Sequence, residues 1–143
     1  MSLISPYIIA IVIAWLLAHV IKYIIALAQR KQLDVVRQLF ISGGMPSSHS
    51  ATVVSVWTVI LLRDGVQSGL FGLATFVVLV VMYDAVKVRR STGEQGEAIQ
   101  QLIKEQKSQV PLPRAAKGHT PVEVLAGAAL GVLIGLVVFL ATE

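Results

Sequence analysis

The sequence contains no cysteine and few charged residues. The absence of cysteine among 143 residues excludes a disulfide framework, an iron–sulfur cluster and zinc sites built on thiolates. Charged residues make up 14% of the chain and hydrophobic residues 55%, whereas soluble domains have about 25% and about 45–50%. A soluble fold of this size would lack the polar residues to cover its surface. The composition therefore excludes a soluble globular domain, a disordered chain and a coiled coil, and indicates a small integral membrane protein.

Four apolar segments predict four transmembrane helices. They cover residues 6–28, 50–62, 69–85 and 121–141, and a spanning helix needs about 20 mostly apolar residues. The first segment is expected to be a retained helix and not a removable signal peptide, because no basic residue precedes it and no convincing small-residue cleavage site follows it. We therefore predict an all-α, polytopic membrane protein, with residues 1–143 forming a single membrane domain.

Two polar segments, 29–49 and 87–120, separate these helices and carry most of the lysines and arginines. The loop between the second and third helices carries only Arg63. The positive-inside rule then predicts both polar segments in the cytoplasm and both termini outside. The net charge of +4 indicates this orientation and not a nucleic-acid partner, and no such partner is expected. Residues 96–108 are expected to form an amphipathic helix.

All three histidines lie in or beside apolar segments, where a titratable group is costly and is therefore a functional candidate. His19 lies inside the first segment, and His49 and His119 lie where the second and fourth begin. The last two, with Asp84 near the end of the third segment, are predicted on the cytoplasmic side. We expect one polar site there. Three histidines without clustered spacing make a poor zinc site, and no cofactor is expected.

Residues 43–50 read Gly-Gly-Met-Pro-Ser-Ser-His-Ser. The glycines and the proline predict a tight loop that leads into a helix. Backbone N–H groups at that helix N-terminus, beside the hydroxyls of Ser47 and Ser48, suit a phosphate-sized anion. The alternative is that Ser47 or Ser48 only caps the helix.

A second candidate string begins at His119. Glu123 follows it by four residues, so the two side chains share one face of a helix. A carboxylate that accepts a hydrogen bond from one imidazole nitrogen fixes the tautomer and leaves the other nitrogen nucleophilic. The alternative is an interfacial pair without chemistry.

Lys22 and Asp84 each allow two interpretations. Lys22 shares a face of the first helix with Trp15, His19 and Gln29, so it could line the site, or it could extend its ammonium to the membrane surface. Asp84 is expected to pair with Lys87 or an arginine in a structural role, with a catalytic role as the alternative.

Gly127, Gly131 and Gly135 recur every fourth residue in the last helix and predict close helix packing. The packing partner could be the first helix or a second copy of the chain. A homodimer through this glycine stripe is expected, with a compact monomer as the alternative.

The motifs carry a resemblance. Pro46-Ser47-Ser48-His49 resembles the Pro-Ser-Gly-His signature of the type 2 phosphatidic acid phosphatase and vanadium haloperoxidase superfamily. His119-x-x-x-Glu123 resembles its His-x-x-x-Asp signature. Together with residues 83–90 and 118–124, these strings are most similar to a divergent branch of small bacterial and plastid membrane proteins, over roughly residues 22–135. The resemblance implies a bacterial plasma membrane or a plastid membrane.

The resemblance also implies roles for individual residues. His119 would attack phosphorus and form a phosphohistidine, and Glu123 would orient it. His49 would protonate the leaving oxygen, while Ser47 and Ser48 would hold the phosphoryl oxygens. The implied activity is metal-independent dephosphorylation of a lipid phosphate or diphosphate, with membrane lipids around the site.

The cationic signatures of the superfamily are not matched. Its Lys-x6-Arg-Pro signature is absent: Lys22 can stand for the lysine, but Gln29 occupies the place of the arginine. Arg114 lies one position too close to the third signature. We expect Lys87, Arg89 and Arg90 to supply the missing positive charge.

Three other functions are weighed against a phosphatase. The missing cations favour a non-catalytic phospholipid-binding or carrier protein. The small size and the glycine stripe favour a structural partner in a larger complex. A haloperoxidase is the most distant, because a membrane-embedded site suits neither its substrate nor retained vanadate.

Overall fold

A computed structural model describes residues 4–29, 44–113, 115 and 118–143. Every regular element in this part of the chain is helical. The helices are α1 (Pro6–Ala28), α2 (Ser48–Asp64), α3 (Gly69–Tyr83), α4 (Arg89–Glu105) and α5 (Pro121–Thr142), and a π-helical turn, Asp84–Val88, joins α3 to α4. Most of the polar segment 29–49 and the candidate Arg114 lie outside the described residues.

In the described part of the chain, three helical stretches are long and apolar enough to cross a membrane: α1, the continuous stretch Gly69–Glu105, and α5. The predicted fourth crossing, 50–62, corresponds to α2. This helix has 17 residues, which give a length of about 25 Å against about 30 Å for the bilayer core. It extends the predicted segment by two residues at each end, because the polar residues that flank the apolar run also belong to the helix.

The third predicted helix does not end in a loop. It passes through the π-helical turn into α4, which begins at Arg89 and not near residue 96 as predicted. Gln, Glu and Lys residues favour helix without making the segment apolar, so the first half of the polar segment 87–120 is helical.

The shortest of the apolar segments forms the centre of the bundle. α2 packs against α1, α3 and α5, and its buried residues include Ser50, Ser55 and Thr58. The hydroxyls of Ser55 and Thr58 find backbone acceptors, the Ala10 carbonyl at 3.2 Å and the Val54 carbonyl at 2.8 Å. Ser50 Oγ donates to Ser47 Oγ at 3.1 Å. Small residues with satisfied hydroxyls let neighbouring backbones approach closely in an apolar medium.

The glycine stripe of α5 packs against α2 of the same chain. A Cβ at Gly131 would lie 2.6 Å from the Ala51 carbonyl oxygen, and one at Gly135 would lie 2.6 Å from that of Ser55. The stripe predicted close packing, and its partner within the chain is α2 and not the first helix. A homodimer therefore receives no support from these glycines, because α2 already covers them.

Polar contacts at one end of the bundle orient the helices. Tyr7 Oη donates to Asp64 Oδ2 at 2.7 Å, which joins the start of α1 to the end of α2. Arg63 Nη2 donates to Thr142 Oγ1 at 2.9 Å, which joins the ends of α2 and α5. The start of α2, the start of α5 and the end of α1 consequently lie together at the opposite end.

Candidate functional site

His119 and Glu123 form a tight unit where α5 begins. The His119 side chain is 1% exposed, and its Nδ1 lies 3.1 Å from Glu123 Oε2. The Thr120 backbone N–H donates to the same oxygen at 3.0 Å, and Thr120 Oγ1 accepts from the Glu123 N–H at 3.3 Å, which completes a capping box. Because an ionised carboxylate only accepts hydrogen bonds, Nδ1 carries the proton and Nε2 keeps its lone pair.

The Nε2 atom of His119 is buried and has no hydrogen-bond partner among the described residues. An unsatisfied buried polar atom costs about 1–3 kcal/mol and is therefore rare without a functional reason. Burial lowers the pKa of the His119 imidazole; the charges of Lys22 and Arg89 lower it further, while Glu123 opposes them. The imidazole is consequently neutral at pH 7, with a free nitrogen lone pair.

The π-helical turn holds the backbone of His119. Within this turn the Arg89 N–H donates to the Asp84 carbonyl and not to that of Ala85. The Ala85 carbonyl therefore remains available and accepts the His119 N–H at 3.1 Å. Asp84 pairs with Arg89 across the same turn, as expected for a structural carboxylate. The role of Ala85 is not visible in the sequence, because a π-helical turn leaves no recognisable signal in an apolar stretch.

Gly118 lets the chain approach this turn. A Cβ at this position would collide with the backbone of Arg90. Only glycine therefore fits at position 118, where the chain passes against the first turn of α4.

Ser47 links the start of α2 to the start of α5. It is fully buried, its N–H donates to the Glu123 carbonyl at 2.9 Å, and its Oγ accepts from the Ser50 N–H at 3.4 Å. Ser47 is therefore the N-cap of α2, as one of the two interpretations predicted. Ser48 is the first residue of the helix, and its carbonyl accepts from the Thr52 hydroxyl at 2.8 Å.

His49 lies in the first turn of α2 and is exposed, in contrast to His119. Lys22, Arg89 and His119 lie close enough for their charges to act on it. The charge of Lys22 also acts on His119, which favours the interpretation that Lys22 lines the site. The structure thus brings together two histidines and two cations from four different elements.

Three other residues that the sequence suggested for the site make their contacts away from His49 and His119. Arg90 pairs with Glu94 at 3.1 Å on the exposed side of α4. Lys87 is exposed, and no hydrogen bond among the described residues joins it to either histidine. His19 Nδ1 lies 2.7 Å from the Trp15 carbonyl oxygen and its ring packs on that of Trp15, so its contacts are local. Of the three predicted cations on the third helix, only Arg89 acts on the histidines.

The chain is similar to a known family and to a known membrane protein. The chain matches the model of a family described as the divergent PAP2 family over residues 4–134. It is 35% identical over 139 residues to the uncharacterized membrane protein YuiD of Bacillus subtilis (strain 168), with 87% of each chain covered. No solved structure matches the chain.

Proposed function

Since the chain belongs to the divergent PAP2 family, we propose that it is a membrane-embedded phosphatase that hydrolyses a lipid phosphate or diphosphate without a metal cofactor. One observation carries this proposal: a buried, neutral histidine whose Nδ1 is held by Glu123 and whose Nε2 is unpartnered. This is the arrangement that a nucleophilic imidazole requires. The nearby charges of Lys22 and Arg89 make the surroundings of that nitrogen attractive to a phosphate.

In the first step, His119 Nε2 attacks phosphorus and the bond from phosphorus to the leaving oxygen breaks. His49 donates a proton to that oxygen, so the alcohol or the lipid monophosphate leaves with its leaving oxygen protonated. Glu123 keeps the proton on Nδ1 and stabilises the positive charge that develops on the imidazole. A water molecule then attacks the phosphohistidine, His49 takes a proton from it, and inorganic phosphate and free His119 result.

Transferred phosphoryl groups need positive charge and hydrogen-bond donors on their equatorial oxygens. Lys22 and Arg89 would supply the charge. Ser47, Ser48 and the N-terminus of α2 would supply donors. In the same proposal α2 is a fourth crossing, and the site faces the cytoplasm, where it takes a headgroup whose tails remain in the membrane.

The test is phosphate release by the purified protein from a panel of lipid monophosphates and diphosphates. His119→Ala is compared with His19→Ala, which removes a second histidine of an apolar segment that makes only local contacts. We expect release that vanadate blocks, that His119→Ala abolishes and that His19→Ala leaves near the wild-type rate. Full activity in His119→Ala would refute the phosphohistidine step.

A non-catalytic phospholipid-binding protein is the second candidate. Two groups that would clamp phosphate are already engaged: Arg89 pairs with Asp84, and the Ser47 hydroxyl caps α2. Binding of a phosphorylated headgroup by the wild type, with no release from any substrate in the panel, would favour this function over the phosphatase.

A further inference from the structure

An apolar groove of about 300 Å³ runs along α2 between α1 and α3. We call it the α2 groove. It is lined by Thr52, Val56 and Ile60 of α2, Ile11 of α1, and Ala74 and Val77 of α3, with further apolar residues. Among the described residues that line it, only Thr52 has a polar side chain, and its hydroxyl already donates to the Ser48 carbonyl. The groove therefore offers a ligand apolar contacts alone.

Two walls of the groove lead to residues of the candidate site. On α2, Val56 and Ile60 follow His49 by seven and eleven residues, which correspond to about two and three turns. The three residues therefore share one face. On α1, Ile11 precedes Lys22 by eleven residues, so these two also share a face. The groove and the two charged positions consequently lie on the same sides of their helices.

The third wall leads to the same end of the bundle. Val77 of α3 precedes Asp84 by seven residues, and Asp84 holds Arg89 at the start of α4. The polar contacts between Tyr7 and Asp64 mark the opposite end. The groove therefore begins about one turn beyond His49 and extends to Ile60, about 16 Å from His49 along the helix axis.

We propose that the α2 groove holds one hydrocarbon chain of an amphiphilic phosphate, while its headgroup lies among Lys22, His49 and Arg89. The proposal rests on the proposed function and specifies its substrate class: a long-chain phosphate that is bound by its tail as well as its headgroup. Continuity between an apolar groove and a cationic site matches the two parts of such a molecule.

The contribution of the groove is orientation. A lipid tail in a bilayer is already in an apolar medium, so its transfer to the groove gains packing and little hydrophobic free energy. A seated tail instead restricts the headgroup to positions near the His119 nitrogen, which raises the effective concentration of the phosphorus atom there.

The experiment uses a long-chain alkyl phosphate with a photoactivatable diazirine near the end of its tail. It is incorporated into vesicles with the full chain, irradiated, and the cross-linked peptides are identified by mass spectrometry. Ala74→Phe fills the groove. Gly72→Phe is the matched control, because a side chain there enters open space on the same helix.

We expect cross-links to the lining residues of α2 and α3. Ala74→Phe should lower them about tenfold, equivalent to about 1.4 kcal/mol, and Gly72→Phe should leave them unchanged. Excess unlabelled alkyl phosphate should compete, but the alcohol of the same chain length should not. Equal competition by the alcohol would mean that bulk lipid fills the groove and would overturn the proposal, as would cross-links that Ala74→Phe does not reduce.

Hydrolysis of a soluble and of a long-chain substrate distinguishes a failure of the groove proposal from a failure of the proposed phosphatase activity. Hydrolysis of a water-soluble aryl phosphate depends on the site alone, so we expect Ala74→Phe to leave it near the wild-type rate and to slow release from the long-chain substrate. A wild type that hydrolyses neither compound would refute the phosphatase, whereas the cross-linking result would still decide the occupant of the groove.

Discussion

At the scale of the residue, His119 combines hydrogen-bonded groups that fix its ring with one buried nitrogen that has no hydrogen-bond partner among the described residues. Its backbone N–H and its Nδ1 are satisfied by Ala85 and Glu123, while its Nε2 has no partner in the described part of the chain. Satisfied groups position the ring, and the unsatisfied atom remains available for chemistry. The same side chain on a solvent-exposed helix face would pair with water and lose this distinction.

The pH dependence of turnover follows from the burial of His119. Burial lowers its pKa below the ordinary value of about 6.5, and protonation of Nε2 prevents attack. The acid limb of kcat/KM that His119 sets should therefore lie below pH 6.5. Glu123 raises this pKa, so Glu123→Gln should move the acid limb of kcat/KM to still lower pH.

The rate of Glu123→Gln should also fall at every pH by about a hundredfold or more, because an amide does not hold the required tautomer as a carboxylate does. The pH profiles of the wild type and the variant measure both effects. An acid limb at the same pH in both proteins would contradict a role for the Glu123 charge at His119.

Arg89 and Arg90 are adjacent in sequence but should differ in function. The charge of Arg89 acts on both histidines, whereas Arg90 pairs with Glu94 on the exposed side of α4. We expect Arg89→Ala to weaken phosphate binding about tenfold or more, consistent with loss of a charge-assisted hydrogen bond of about 1.5–3 kcal/mol. Arg90→Ala should bind normally. Vanadate titration measures both, and equal losses would contradict the assignment.

At the scale of the element, the π-helical turn and α2 position the site. The turn leaves the Ala85 carbonyl free for His119, and the start of α2 presents the Ser47 N–H to the Glu123 carbonyl. Two long-range backbone hydrogen bonds thus connect α2, α5 and the turn. Backbone groups as well as side chains therefore hold the site together.

The packing of α5 on α2 leads to a stability prediction. Gly131→Val places a branched side chain against the Ala51 carbonyl and the Val54 side chain. Overpacking of this kind costs about 1–3 kcal/mol, so the variant should unfold at a lower temperature in detergent. Ala129→Val adds a branched side chain to an exposed position of the same helix and is the control. An unchanged melting temperature for Gly131→Val would contradict close packing of the two helices.

At the scale of the whole molecule, the helices differ in how much of their surface other helices cover. α3 has no buried residue, whereas α2 is buried by its neighbours on several sides. The most apolar helices therefore face outward, and the more polar α2 forms the centre. This inverts the pattern of a soluble protein, as expected where the surrounding medium is as apolar as the side chains.

The proposed orientation can be tested with single-cysteine variants. The native chain contains no cysteine and therefore serves as the unlabelled control. We expect a membrane-impermeant maleimide to label Val66→Cys and Glu143→Cys on intact cells. Gln101→Cys should require permeabilised cells. Ile4→Cys, before α1, should also be labelled on intact cells, and labelling of Ile4→Cys and Val66→Cys from opposite sides would show that α2 does not cross the membrane. Labelling of Gln101→Cys alone on intact cells would reverse the orientation.

The sequence by itself determined the features that depend on neighbours along the chain. The membrane character follows from composition, and the bounds of α1 follow from a long apolar run. The pairing of His119 with Glu123 and the cap formed by Ser47 are also local, because they need only helical spacing and one helix end.

Only the tertiary structure decided which surfaces meet. Hydropathy does not distinguish a side chain that faces lipid from one that faces another helix, so it could not identify α2 as the centre or as the partner of Gly131. It could not select Lys22 and Arg89 from the available cations either. The hydrogen bond from His119 to Ala85 joins residues that are distant in sequence, and it exists because a π-helical turn redirects one carbonyl. Such contacts depend on the relative positions of whole helices, which no local pattern encodes.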